Sequence, residues 1–247
     1  MRPILLLTAG VLLLAACGSN PTNKKEGALT ALQTKTPPKL DGIADDECWK
    51  TAPSHLMYHL WIGKLPHAMD YMGKYRVCWD SQYLYVLADI YDDSLTDTHA
   101  DGLDRFWDDD CLEIFVDENA SGGDHQFNNS AFAYHISLDG KIVDTGIDST
   151  AHYVNDHGIV AIHQEGKLTT WEVALKLYPD TYKDSAVNMP VTLASGKVIG
   201  FMIAYNDNDK SKERENMMGS VEIKPNPDKN RGWIDASVFE KLTLTEK

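Results

Sequence analysis

Two tryptophans, remote from each other in the chain, have the residue type and the surroundings for stacking chemistry. Trp107 stands in Phe106-Trp107-Asp108-Asp109-Asp110-Cys111-Leu112-Glu113, and Trp233 in Asn230-Arg231-Gly232-Trp233-Ile234-Asp235. Neither falls in a strand-like apolar alternation, and turn residues and carboxylates flank both. A large flat ring in a polar loop leaves apolar area in water unless something covers it. Brought to one end of a fold, the two indoles would form a slot for a flat, weakly polar ligand. A pyranose ring, with apolar C–H faces and a rim of hydroxyls, has that shape. Trp has only two side-chain torsions, so ordering it costs little entropy. Each hydroxyl buried in the slot then needs a partner, because an unpaired buried polar group costs about 1–3 kcal/mol.

Other residues suggest other chemistry. The clusters Asp92-Asp93, Asp108-Asp109-Asp110 and Asp207-Asn208-Asp209 offer the hard oxygen ligands that calcium takes. Asp92, Asp93, Asp207 and Asp209 are the calcium candidates; no EF-hand loop is present, and solvated acidic loops are the competing reading. The nine histidines contain no HExxH, and His55 and His59 flank no acidic base, which argues against a zinc site. Paired carboxylates can hydrolyse glycosides, so a glycoside hydrolase is one rival reading. A non-covalent haem-binding subunit is another, with Met69, Met72, Met217 and Met218 as candidate ligands and no CxxCH for covalent attachment. The blandest alternative is a scaffold that keeps its fold without a ligand.

The N-terminus speaks to compartment. Arg2 precedes an apolar run from Pro3 to Ala16, too short to span a bilayer and shaped like a secretory leader. It ends Leu14-Ala15-Ala16-Cys17-Gly18, which resembles a bacterial lipoprotein cleavage box. The resemblance implies a signal peptide over residues 1–16 and a lipid anchor on Cys17 in the cell envelope. Gly18, rather than Asp, after that cysteine implies the outer membrane, on its periplasmic or surface face. Residues 17–38 read as a flexible tether and 39–247 as a single domain. A net charge of −14 argues against binding nucleic acid through the protein surface. Cys48, Cys78 and Cys111 lie among apolar residues and read as small buried hydrophobes, with a Cys78–Cys111 bridge as the candidate disulfide if their strands are neighbours.

The elements that must position these side chains are short strands. Tyr75–Trp79 and Tyr83–Ile90 flank a polar turn and read as a hairpin. Leu112–Val116 is a buried strand. Ala133–Leu138 turns at Asp139-Gly140 into Lys141–Val143, and Ile159–His163 turns at Glu165-Gly166 into Leu168–Leu177. Val198–Tyr205 and Phe239–Leu244 complete the set. The fold class that follows is all-β, an antiparallel β-sandwich of two packed sheets. Residues 182–195 and 208–230 read as loops. Trp49 and Trp79 read as core, whereas Trp61 suits core or rim.

In this order the chain resembles the family 9 carbohydrate-binding modules. The resemblance runs through Leu40-Asp41-Gly42-Ile43-Ala44-Asp45-Asp46-Glu47-Cys48-Trp49, whose spacing departs from the family by one residue. It continues through Arg76–Asp80 with Tyr83–Val86, then Trp107–Asn119, Ile199–Phe201 with Tyr205–Asp209, and Asn230–Trp233 with Phe239. It implies that Trp107 and Trp233 sandwich one sugar ring, that Glu113 and Asn230 bind hydroxyls, and that His135 and Ser137 stand where the family often carries Arg and Asn. Structural calcium also belongs to what the resemblance implies. The implied partners are an oligosaccharide or polysaccharide chain end, the lipid bilayer through Cys17, and neighbouring hydrolases or transporters. The implied activity is binding without catalysis.

Overall fold

The computed structural model describes residues 28–184 and 186–246. The leader, Cys17 and the first part of the expected tether lie outside the described residues. Among the described residues, fourteen strands form one hydrogen-bonded sheet, in which eleven follow a single path that folds over itself and three branch from it. In chain order they are β1 (Thr30–Gln33), β2 (His55–Met57), β3 (His59–Gly63), β4 (Tyr71–Trp79), β5 (Leu84–Asp92), β6 (Cys111–Asp117), β7 (Phe132–Ser137), β8 (Ile142–Thr145), β9 (Ala151–Tyr153), β10 (Gly158–Glu165), β11 (Leu168–Leu175), β12 (Val198–Asp207), β13 (Asn216–Gly219) and β14 (Glu240–Thr245). One half of the path runs β10-β11-β5-β4 and the other β14-β12-β6-β7-β8-β9. β1 joins them, pairing in parallel with both β4 and β14, while all other pairings are antiparallel.

Period-two alternation explains why the halves close on each other. Val77 and Trp79 of β4, Val86 and Ile90 of β5 and Trp171 and Val173 of β11 share one buried cluster with Leu112 and Ile114 of β6, Tyr134 of β7 and Phe201 of β12. Tyr71 stacks on Tyr205 across the interface, ring centroids 5.8 Å apart. Each such side chain contributes about 1.5–3 kcal/mol by leaving water. The result is the expected sandwich. Trp49 and Trp79 are core, each 1% exposed, and Trp61 joins them, buried with its Nε1 donating to the Val221 carbonyl at 2.7 Å.

Alternation also sends a second set of side chains outward from each layer. Outside β4, β5 and β11, the short helix α1 (Glu47–Thr51) packs Cys48 and Trp49 against Cys78, Tyr85 and Leu87. Outside β6 and β12, Trp61, Phe115, Met202 and Phe239 form a third cluster under β3, β13 and the C-terminal segment.

Four expectations need correction. The stretch read as tether contains β1, with Leu29 and Ala31 buried, so the domain begins before residue 39. The stretch 208–230 contains β13, which bridges β12 and β3. Cys78 and Cys111 are unbridged: they lie in opposite layers and both point away from the core, and Cys111 Sγ instead accepts from Asn206 Nδ2 at 3.1 Å. Met217 and Met218 are packed into separate clusters, and Met69 and Met72 are exposed, so the four do not converge on a haem.

Candidate functional site

Leu112 and Ile114 of β6 face the core, so Glu113 between them must face outward. Antiparallel register sets it beside His135 of β7 and Ala204 of β12. Glu113 is nevertheless buried, because the loops before β6 and after β12 cover it. Its Oε1 lies 2.8 Å from His135 Nε2 and 3.4 Å from Arg214 Nη1, and it accepts from Asn206 Nδ2. Arg214 Nη1 also donates to Asn206 Oδ1 at 2.9 Å. Burial by itself would push the Glu113 carboxyl up; His135 and Arg214 outweigh it, and the group is held below its ordinary range. An ionised carboxylate held in this way accepts hydrogen bonds and donates none.

Above this network opens a cleft of about 380 Å³. Trp107 and Trp233 both line it, together with Glu113, His135 and Asn230. The two indoles are each 39% exposed, an unusual state for the largest apolar side chain. Each is backed edgewise by a phenylalanine: Trp107 by Phe106 at 4.9 Å and 74°, Trp233 by Phe127 at 6.4 Å and 61°. Phe106 also meets His135 edge-on at 4.6 Å.

The loops that carry the indoles are fixed from below. Asp109 accepts from the backbone N–H groups of Thr98 and His99, and Asp110 from that of Asn208 at 2.7 Å. The Asp108-Asp109-Asp110 run is therefore buried and structural rather than a solvated acidic loop. On the other side, His125 Nε2 lies 2.7 Å from the Gly232 carbonyl, and the backbone of His125 donates to Ile234 at 2.8 Å. A Cβ on Gly232 would come within 2.2 Å of Met202 Cε and 3.0 Å of Phe115 Cε1, so a larger residue here would have to displace the Met202 side chain.

Of the six residues read from sequence, five line the cleft: Trp107, Trp233, Glu113, Asn230 and His135. Ser137 does not line it. Its hydroxyl is 2.5 Å from Asp139 Oδ1, in the turn that leads to β8. Sequence reasoning missed Phe106, Phe127, Arg214, Thr145 and Ser149, which complete the lining. Phe106 was readable as the neighbour of Trp107. Arg214 had no signal, because it sits in a polar stretch without periodicity.

The calcium candidates divide into two groups. Asp92, Asp110 and Asp207 bring carboxylate oxygens within 4.8 Å of one another in the interior, and Asp70, Asp93 and Asp209 do so nearer the surface. Burial, followed by the Asp92 charge, pushes Asp110 up to about 9; burial likewise raises Asp207 to about 7. The buried oxygens Asn216 Oδ1 and Asp209 Oδ1 have no hydrogen-bond donor, and Asn216 Nδ2 donates to Asp207 at 2.8 Å. Such an all-oxygen set fits a hard divalent cation.

The profile described as carbohydrate family 9 binding domain-like matches residues 40–247, and the chain belongs to that family. It is 28% identical over 225 residues to the endo-1,4-beta-xylanase A of Thermotoga maritima, a match covering 90% of this chain and 18% of the xylanase. It is 26% identical over 174 residues to the exoglucanase XynX of Acetivibrio thermocellus, covering 70% of this chain and 13% of that protein. The chain thus spans less than a fifth of these relatives. Two solved structures of a family 9 carbohydrate-binding module from Caldicellulosiruptor kristjanssonii share the fold at 16% identity. The complex with cellotriose superposes at a TM-score of 0.65 over 90% of this chain and 95% of that one, and the complex with glucose at 0.64 over 90% and 97%.

Proposed function

We propose that this protein grips the end of an oligosaccharide or polysaccharide non-covalently, with one sugar ring between Trp107 and Trp233. The observation that carries the reading is the convergence of two part-exposed indoles, 126 positions apart in sequence (233 − 107), on one cleft floored by a buried carboxylate. Indole faces would cover the C–H surfaces, Glu113 would accept from ring hydroxyls, and Asn230 and Arg214 would donate. The glucose and cellotriose held by the Caldicellulosiruptor modules support a gluco-configured ligand. Isothermal titration of glucose and cellotriose tests this. Affinity in the range of about 10–100 μM is expected. Wild-type affinity in both Trp107→Ala and Trp233→Ala would remove the assignment.

Hydrolysis is less well supported. A glycosidase needs a second carboxylate, with one of the two kept protonated. Among the described residues Glu113 is the only carboxylate lining the cleft, and it is held ionised. Asp144, which burial raises to about 6, lines the adjoining hollows rather than this cleft and accepts from the backbone N–H groups of Thr145 and Ala133. Release of reducing sugar from cello- or xylo-oligosaccharides by the purified protein would reverse this preference.

Two further parts of the reading follow from sequence. Cys17 would carry lipid and hold the domain at the outer membrane, where hydrolases or transporters process the captured sugar. Metabolic labelling with a fatty-acid analogue, lost in Cys17→Ala, tests the anchor. The two aspartate groups would hold calcium as a structural ion; an unchanged melting temperature on chelation would remove that role.

A further inference from the structure

Beside the indole cleft lies a second hollow, of about 430 Å³. Thr145 lines both. A small depression between them shares Asp144 and Thr145 with the second hollow, and His135, Thr145 and Trp233 with the first. The three meet around Thr145, the last residue of β8: the first lies on the outward face of β7, beside Glu113 and His135, and the second against the core-side Phe132 and Tyr178. Tyr178 and Tyr182 wall the second hollow, meeting at 5.1 Å and 67°. Tyr182 is fixed there by its hydroxyl, 2.9 Å from Nε2 of the fully buried His157, whose Nδ1 lies 2.9 Å from the Tyr134 hydroxyl. The wall is therefore prebuilt and would not need ordering by a ligand.

The chemistry of this hollow differs from that of the first. Asp144, Asp156 and Asp184 line it, and among the described residues no Lys or Arg side chain does. Lys176 approaches from outside, where its Nζ donates to the Asp156 carbonyl at 2.8 Å. Carboxylates and amides beside tyrosine rings can accept from and donate to hydroxyls, and the excess of carboxylates over cations disfavours an anionic sugar.

We infer that the Tyr178–Tyr182 hollow is a further glycosyl subsite, which takes an uncharged sugar unit of the same oligosaccharide whose end occupies the indole cleft and disfavours uronates. The inference rests on the binding function proposed above. A ligand confined to the first cleft gains nothing from the second. One long enough to cross Thr145 gains contacts there without a second association cost, so affinity should rise with chain length.

The test is titration calorimetry with glucose, cellobiose, cellotetraose and cellohexaose. Two variants alter only exposed residues of the second hollow: the double variant Asp156→Ala/Asp184→Ala, and Ala186→Trp, which fills it from the rim. The wild type is expected to bind the longer oligosaccharides about tenfold more tightly than glucose. Both variants should lose that gain and keep wild-type affinity for glucose. Equal affinity for all four ligands, or a length gain that survives in both variants, overturns the subsite while leaving the indole cleft in place. Loss of all binding in the wild type overturns both.

Discussion

The two layers of this sandwich each aim a buried glutamate away from the core, and the two glutamates have opposite fates. On β11, Glu172 is sealed under the opening segment. Its Oε2 accepts from the backbone of Asp41 and Gly42 at 2.9 and 2.8 Å, and its Oε1 from Trp49 Nε1 at 2.7 Å. On β6, Glu113 meets side chains: His135, Arg214 and Asn206. Burial wins at Glu172, whose carboxyl is raised, and the charged partners win at Glu113, whose carboxyl is lowered. The indole above Glu172 is folded down as core, whereas the indoles above Glu113 stand partly in solvent. One layer uses its outward carboxylate to fasten a covering segment. The other surrounds its outward carboxylate with side chains beneath two part-exposed indoles, and the opening there is the cleft.

The sharpest break between the two faces should come from the indoles. Trp233→Ala and Trp107→Ala are expected to lower sugar affinity about 30-fold or more, some 2 kcal/mol each, with little change in melting temperature. Trp49→Ala should do the reverse and destabilise the fold by about 3–5 kcal/mol. Calorimetric titration paired with thermal unfolding checks both, and a Trp233 variant that melts far below wild type would blur the distinction.

Next come the carboxylates. Glu172→Ala strands three donors and should cost about 3 kcal/mol of stability, or some 6–12 °C, with sugar affinity preserved in the folded protein. Glu113→Gln should weaken binding about tenfold or more and shift melting less. Equal melting losses in the two variants would show that the faces do not divide fold from function.

Chelation should act through the aspartate groups rather than through either glutamate. Removing divalent cations with EDTA is expected to lower the melting temperature by several degrees, and Asp110→Asn should reduce that response. Identical melting curves with and without chelator would contradict the assignment.

The smallest effect is in pH dependence. Glu113, with its pKa lowered in the fold, contributes stability that is present above its unfolded value and lost as pH falls through the folded one. Glu172, with its pKa raised, contributes stability that is present below its unfolded value and lost as pH rises through the folded one. Replacing Glu113 by Gln should therefore flatten the acid side of the melting profile. Replacing Glu172 by Gln should flatten the profile above the ordinary carboxylate range. Parallel profiles for the two variants would count against the opposed environments.

Much of this was legible before the fold. Short apolar runs bounded by turn residues in Tyr75–Trp79, Tyr83–Ile90 and Val198–Tyr205, and the alternation in Trp171–Leu175, marked strands, because a strand in a sandwich buries most of its side chains. The short β1 and β13 escaped notice, since Thr30–Gln33 and Asn216–Gly219 are too short to show a period and are held by their neighbours. The indoles were conspicuous because nothing local could bury them. Ser137 failed as a site residue because a turn aspartate takes up its hydroxyl, a local contact that the β7–β8 connection creates.

Residue type and spacing by themselves determined that this is a β-sandwich with two indoles in want of a cover, since burial of alternating apolar rows and exposure of lone aromatics are written residue by residue. Only the tertiary structure decided that Glu113 would stay ionised, that Arg214 would reach it from β13's approach, and that Thr145 would line two hollows at once. Those outcomes depend on which strands become neighbours, and it is the closure of the two layers, not any local pattern, that makes them so.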